Sequence, residues 1–157
     1  MPLKITGRLV AATLALVLAV GFAPGKPHAA ELVTVSSPHS VADTIDRLAA
    51  AVEKAGAKVF ARVDHGAGGE SVGQPIGASQ LLIFGNPKLG TPVMASSPTA
   101  GLDLPIRVLA YDGPDGTVIV YRDPKAMAAA HGLTAEHPSI GKMTGALGKL
   151  TAAAAAE

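Results

Sequence analysis

Polar and apolar positions follow two periods along this chain, two residues in some stretches and three to four in others, and their order predicts the elements. Glu31–Ser36 alternates Leu32, Thr34 and Ser36 with Val33 and Val35, a short strand. Ser37-Pro38 reads as an N-cap followed by proline at the first helical position. Val41, Ile45, Leu48 and Val52 then recur at spacings of four, three and four, one face of a helix that Gly56 closes in a left-handed conformation. Lys58–His65 alternates again, with Val59, Ala61, Val63 and His65 on one face and Lys58, Arg62 and Asp64 on the other; Phe60 breaks the pattern. The glycine-rich Gly66–Ala78 is expected to be a mobile loop. Gln80–Phe84 is an apolar strand stopped by Gly85-Asn86-Pro87. Lys88–Ser97 holds a turn or two of helix, and Leu104–Tyr111 pairs with Thr117–Tyr121 as a hairpin across Asp112–Gly116. Pro124–His131 is a short helix closed by Gly132. Pro138 opens a last helix striped by Ile140, Met143, Leu147 and Leu150, with the alanines at 152–156 expected to fray. Antiparallel strands with segregated helices make an α+β domain, a two-layer antiparallel sheet with helices on one face.

Residues 1–30 belong to a different problem. Lys4 and Arg8 precede an apolar run over Leu9–Ala23, Pro24, Gly25 and Pro27 break it, and His28-Ala29-Ala30 ends it, the pattern of a secretory signal peptide. About fifteen apolar residues make a helix of roughly 22 Å, shorter than a ~30 Å hydrocarbon core. Periplasmic or secreted is the expected location, and membrane attachment follows only if this segment is retained. The expected divisions are a leader over 1–30, an α+β domain over 31–136 and a C-terminal helix over 137–157 packed on it.

Export changes the charge. The leader holds three of the thirteen basic residues and none of the twelve acidic ones, which leaves ten against twelve, net −2. Beyond the leader the aromatic residues are Phe60, Phe84, Tyr111 and Tyr121. Neither a basic footprint nor a stacking platform exists, so nucleic acid is not an expected partner. There is no cysteine, hence no disulfide and no thiolate metal site.

Candidate chemistry is sparse. His65 ends a strand beside the glycine-rich stretch, where an imidazole serves as base, hydrogen-bond donor or sheet-edge cap. Asp103, Arg107 and Tyr111 share a strand face by parity. Asp103 and Arg107 are then roughly 13 Å apart at ~3.3 Å per residue, too far to pair directly. Arg107 is therefore either a rim cation or an anion-binding group. Asn86 serves the turn before Pro87, with a ligand contact as the alternative. Tyr121 is amphipathic and suits a cavity or a dimer seam. His28, His39, His65, His131 and His137 show no metal-ligand spacing, and Met94, Met127 and Met143 fit core packing, so no metal and no cofactor are expected. Ser139-Ile140-Gly141-Lys142 matches SxxK without its partner motifs.

Several segments together resemble one bacterial family. They are the helix after Ser37, the Phe60–His65 strand ending in Asp64-His65, Phe84-Gly85-Asn86-Pro87 with Thr91 and Met94 after it, Leu102-Asp103-Leu104-Pro105, and Val120-Tyr121. The family is catalogued as domain of unknown function 302, and the resemblance covers about residues 32–132. It implies a TBP-like β-α-β(4)-α fold and a homodimer, and no established activity or cofactor. The segment GAGGESVGQPIGAS after His65 is richer in glycine than the family pattern. The expected function is a periplasmic binding module. It is a homodimer holding a small ligand on the sheet face near His65, Arg107 and Tyr121, with Asn86 and Asp103 as further contacts. The alternatives are a small enzyme using His65 as general acid/base with Asp103 or Arg107, and a membrane-tethered partner protein.

Overall fold

The computed structural model describes residues 32–157. The leader expected over 1–30 therefore lies outside the described residues. The chain runs β1 (Leu32–Ser37), α1 (Val41–Lys54), β2 (Lys58–Asp64), α2 (His65–Ser71), β3 (Ser79–Gly85) and α3 (Pro87–Ser96). A 3-10 turn at Pro98–Leu102 leads into β4 (Ile106–Gly113), β5 (Gly116–Arg122), α4 (Pro124–Ala130) and α5 (Pro138–Ala155). All five strands form one antiparallel sheet in the order β1-β5-β4-β3-β2.

The two layers follow from parity. Leu82, Phe84, Val108, Ala110, Ile119 and Tyr121 point to one face and are buried against Ile45, Leu48 and Val52 of α1 and Leu147, Leu150 and Ala154 of α5. Each such aliphatic side chain contributes about 1.5–3 kcal/mol when fully buried. Alternate residues, among them Leu81, Ile83, Leu109 and Val120, point to the face that neither α1 nor α5 covers, and are only half-buried. A second, smaller core joins α3, α4 and the start of α5 through Val93, Ala100, Met127, Ile140 and Met143. The stripe expected for the last helix, from Ile140 to Leu150, is buried as its spacing requires.

Five local expectations need correction. The cap of α1 is Ser40, whose Oγ accepts from the Asp43 amide at 3.1 Å; Ser37 ends β1 and is bound instead to Thr44 Oγ1 at 2.8 Å. The alanine run does not fray. Ala154 is buried, and Arg47 of α1 donates to the carbonyls of Ala154 and Ala156, which satisfies groups a helix end leaves unpaired.

β2 carries a bulge at Phe60. Val59 pairs with Phe84 and faces the core, whereas Ala61 and Val63 pair with Ile83 and Leu81 on the uncovered face. His65 is no strand residue, because Asp64 caps α2 through its carboxylate on the Ala67 amide at 2.9 Å.

The start of the expected loop is therefore the helix α2, and two of its glycines are there for close packing. A Cβ on Gly69 would lie 2.6 Å from the Gln74 carbonyl oxygen, and one on Gly66 2.8 Å from that of Gly77. Only a missing side chain lets α2 fold back on the segment that follows it.

Candidate functional site

Two concave places adjoin the entry to β4, and Ile106 lines both. The larger is an apolar cleft of about 330 Å³ between the layers. Phe60, Phe84, Met94, Leu104, Met143 and Leu147 form much of its wall, and of the lining residues only Asn86 and Thr91 carry polar side chains. Its construction is local at each corner. The bulge at Phe60 turns that ring out of the strand alternation and into the cleft. Pro87 at the first position of α3 starts a helix that Asn86 caps, accepting from the Lys88 amide at 3.0 Å. Asn86 Nδ2 makes only a long contact, 3.5 Å, to the Gly56 carbonyl, and so keeps donor capacity toward the cleft. Gly90 leaves the α3 wall bare: a Cβ there would meet Leu104 and Met94 at no closer than 3.9 Å.

The smaller place is polar and turns on Asp103. Its Oδ1 accepts from Arg107 Nη2 at 2.8 Å, and its Oδ2 accepts from Arg122 Nη1 at 2.8 Å and lies 2.8 Å from His131 Nε2. The expectation that Asp103 and Arg107 are too far apart fails because Asp103 is not extended. It ends the 3-10 turn with φ −103° and ψ −8°, and β4 begins only at Ile106. Asp103 is buried to 13% side-chain exposure and His131 to 9%, while Arg107 and Arg122 keep 50% and 35%. Burial by itself would raise the Asp103 pKa. The hydrogen bond from His131, then the charges of Arg122 and Arg107, outweigh it and hold the carboxyl below its ordinary value. His131 Nδ1 lies 3.1 Å from Thr99 Oγ1, so the imidazole braces the end of α4 against the 3-10 turn.

The residues singled out in the sequence are thus divided among four places. Asp103 and Arg107 meet; Asn86 stands in the apolar cleft. His65 opens α2 next to Asp64, which pairs with Gln80, while Arg107 lies beside Ile83 on the next strand. That offset is roughly 10 Å along the strands and about as much across them. Tyr121 points to the covered face, opposite to Arg107, at 7% exposure. Burial, with a smaller push from Asp123, raises its phenol pKa against the hydrogen bond with Thr151. A single pocket at His65, Arg107 and Tyr121 is therefore not formed, and the carboxylate expected beside His65 is bound to His131. Sequence reasoning missed Arg122, His131 and Phe60. Arg122 had a signal: a two-residue hairpin loop sets Gly113 opposite Gly116, and the same register brings Arg107 and Arg122 side by side. Like charges so placed repel and require a shared carboxylate.

A family model described as "Domain of unknown function DUF302" matches residues 33–155. The chain belongs to this family. A crystal structure of an uncharacterized conserved DUF302 protein from Bacillus stearothermophilus superposes with a TM-score of 0.64 at 19% identity, covering 79% of this chain and 94% of that one. That likeness is one of fold. Among curated proteins, the fluoride-specific ion channels FluC 1 of Brucella suis biovar 1 and Brucella abortus biovar 1 are each 50% identical over 103 residues. The match takes in 65% of this chain but 41% and 38% of those channels, so the chain spans about two fifths of their length. Among the described residues no helix is long and apolar enough to cross a membrane. Within this DUF302 chain, several of the segments that carry the family resemblance converge in space, whereas Asp64-His65 and Val120-Tyr121 lie elsewhere. Phe60, Phe84 to Pro87, Thr91, Met94 and Leu104-Pro105 come from four separate stretches and all line the apolar cleft.

Proposed function

We propose that this protein is an exported binding module whose ligand is a compact, neutral, largely apolar molecule held in the cleft between α3, α5 and the Phe60 bulge. The observation that carries this reading is the cleft itself: about 330 Å³ of space with an apolar wall, one spare amide donor at Asn86 and one hydroxyl at Thr91. That volume falls at the small end of ligand sites, ~300–1,000 Å³, and holds roughly ten water-sized groups at about 30 Å³ each. No charged side chain lines it, and a charged ligand would lose its hydration without a partner. The two polar side chains suit a ligand with one hydrogen-bonding end.

Titration with the neutral fluorescent dye N-phenyl-1-naphthylamine tests the reading. Enhanced emission that saturates at one dye per chain is expected for the native protein. Gly90→Leu places a side chain in the open space beside Leu104 and Met94 and should abolish it with the fold intact. Undiminished dye binding in Gly90→Leu, or none in the native protein, removes the proposal.

Homodimerisation is supported by a separate observation. Leu81, Ile83, Leu109 and Val120 form an apolar patch on the sheet face that α1 and α5 leave uncovered, and a second copy would bury it. Sedimentation should give a dimer, with Leu109→Glu shifting it to monomer; a native monomer ends this part of the reading.

A further inference from the structure

The arginines and the lysines beyond residue 30 are used differently. Arg47 donates to the carbonyls of Ala154 and Ala156, Arg62 is bound to Asp46, and Arg107 and Arg122 are bound to Asp103. Among the described residues no lysine enters an ion pair, and all six lysines are exposed. Five of the six surround the apolar cleft. Lys54 and Lys58 flank the wall residues Ala55 and Ala57, and Lys88 lies between Pro87 and Leu89 of the same wall. Lys142 and Lys149 stand four residues before and three after Ala146, which makes them its neighbours on the surface of α5. Lys58 Nζ lies 5.5 Å from the centroid of the Phe60 ring, and that ring is 50% exposed at the edge of the cleft. Of the described acidic residues, Glu53 and Asp103 alone come within two positions of a wall residue, and Asp103 is taken by its own cluster.

The strand register puts the opposite charge at the opposite end. Lys58 pairs with Gly85 and Phe84 with Ile106, so the cleft adjoins the start of β2, the end of β3 and the start of β4. Asp64, Asp112 and Asp115 lie at the other end of these strands, and Glu70 follows in α2. Asp43 and Asp46 lie in the first half of α1, whereas Lys54 is in its last turn. From Lys58 to Asp64 the strand runs roughly 20 Å, well beyond the Debye length of about 8 Å at physiological salt. The acidic end therefore does not cancel the field of the basic rim.

We infer that the protein docks cleft-first on an anionic lipid surface, with the five lysines against the headgroups and Phe60 at the boundary. Ammonium groups on flexible stems suit a fluid array of phosphates, which offers no fixed partner for a bidentate guanidinium. An exposed apolar ring among cations fits a lipid interface, where acyl chains and charge occur together, better than it fits a soluble polyanion. In this orientation the cleft opens toward the lipid, a source of apolar ligands. The docking rests on the rim and not on the cleft interior, so it stands whether or not the ligand reading does. It also needs no N-terminal anchor.

Co-sedimentation of the exported protein with vesicles tests this. Binding is expected with equimolar phosphatidylcholine and phosphatidylglycerol, weakened by added salt, and not with phosphatidylcholine alone. A lysine at an anionic surface contributes about fivefold in affinity. Lys142→Gln combined with Lys149→Gln should therefore lower binding about thirtyfold. Asp115→Lys, which adds positive charge at the far end, should change it less than about twofold. All three positions are exposed, so the fold is kept. No binding to the anionic vesicles, equal binding to the neutral ones or an unchanged double variant overturns the proposal. So does an Asp115→Lys gain as large as the double variant's loss, or capture by heparin as tight as by the vesicles, which would assign the rim to an acidic macromolecule.

Discussion

The apolar cleft and the Asp103 cluster share the wall residue Ile106 yet are built by opposite physics. The cleft is a place where packing stops short. Phe84, Leu147 and Leu150 belong to the main core, Met143 to the smaller one, and the space lies where the two cores meet without filling the gap. No single contact defines it, and several of its wall residues have a core role as well. The cluster is the reverse: one carboxylate draws three donors from β4, β5 and the end of α4. Removing one wall residue from the cleft changes its shape, whereas removing Asp103 leaves charges that no longer have a reason to be together. Dispersed interactions tolerate substitution and concentrated ones do not.

The largest effect should come from a residue that serves both core and cleft. Leu147 is 1% exposed, and Leu147→Ala should lower stability by about 2–5 kcal/mol in urea denaturation while enlarging the cleft. A loss well below that range would mean the cleft wall collapses inward, and the contrast with the cluster would weaken.

Asp103→Asn should cost less, about 1–3 kcal/mol, through the partners it leaves unsatisfied. The Arg107 share is the smaller, because that side chain is half exposed and screened by solvent. The sign with pH follows from the lowered pKa. Asp103 binds its proton less readily folded than unfolded, so its contribution is fully present above the ordinary carboxylate value of ~3.9. It is lost as pH falls through the lower folded value. Native protein should therefore lose stability on acidification more steeply than Asp103→Asn below about pH 4, which parallel urea melts across that range would read. Parallel acid limbs would show that the cluster contributes no more than a dispersed set of surface charges.

The smallest effect is of opposite sign. Gly90 sits inside α3 with open space where its Cβ would be, so Gly90→Leu should raise stability by about 0.5–1 kcal/mol as a better helix former. A thermal melt shifted upward, together with lost dye binding, would show that the cleft is space the fold does not need. A destabilised variant would show instead that the bare wall is structural.

Much of the scaffold was legible because its signals are local. The spacing from Val41 to Val52, the Asn86-Pro87 stop, the Asp112–Gly116 hairpin and the stripe from Ile140 to Leu150 each specify an element within a few residues of chain. They place the covered face of the sheet correctly. Where local reading erred, the deciding feature was a cap, a bulge or a close approach that period and composition do not register. Period-two alternation cannot see the bulge at Phe60, which puts Val59 and Ala61 on opposite faces. Glycine content suggested mobility in 66–78, yet Gly66 and Gly69 are there for tight approach to the Gly77 and Gln74 carbonyls.

The sites show the same division more sharply. Asp103, Arg107 and Asn86 were visible as residue types capable of chemistry. Asp103's partners Arg122 and His131, however, lie 19 and 28 residues away, and the walls of the cleft come from the turn after α1 and from β2, β3, α3, β4 and α5. By itself the chain's pattern of side chains determined the periods, the stops and hence the two-layer architecture, since these depend on neighbours three or four residues apart. Which carboxylate meets which cation, and where two cores fail to fill the space between them, was decided only by the assembled structure. Both are properties of the distance between segments, and a distance of that kind is written nowhere in a local stretch of sequence.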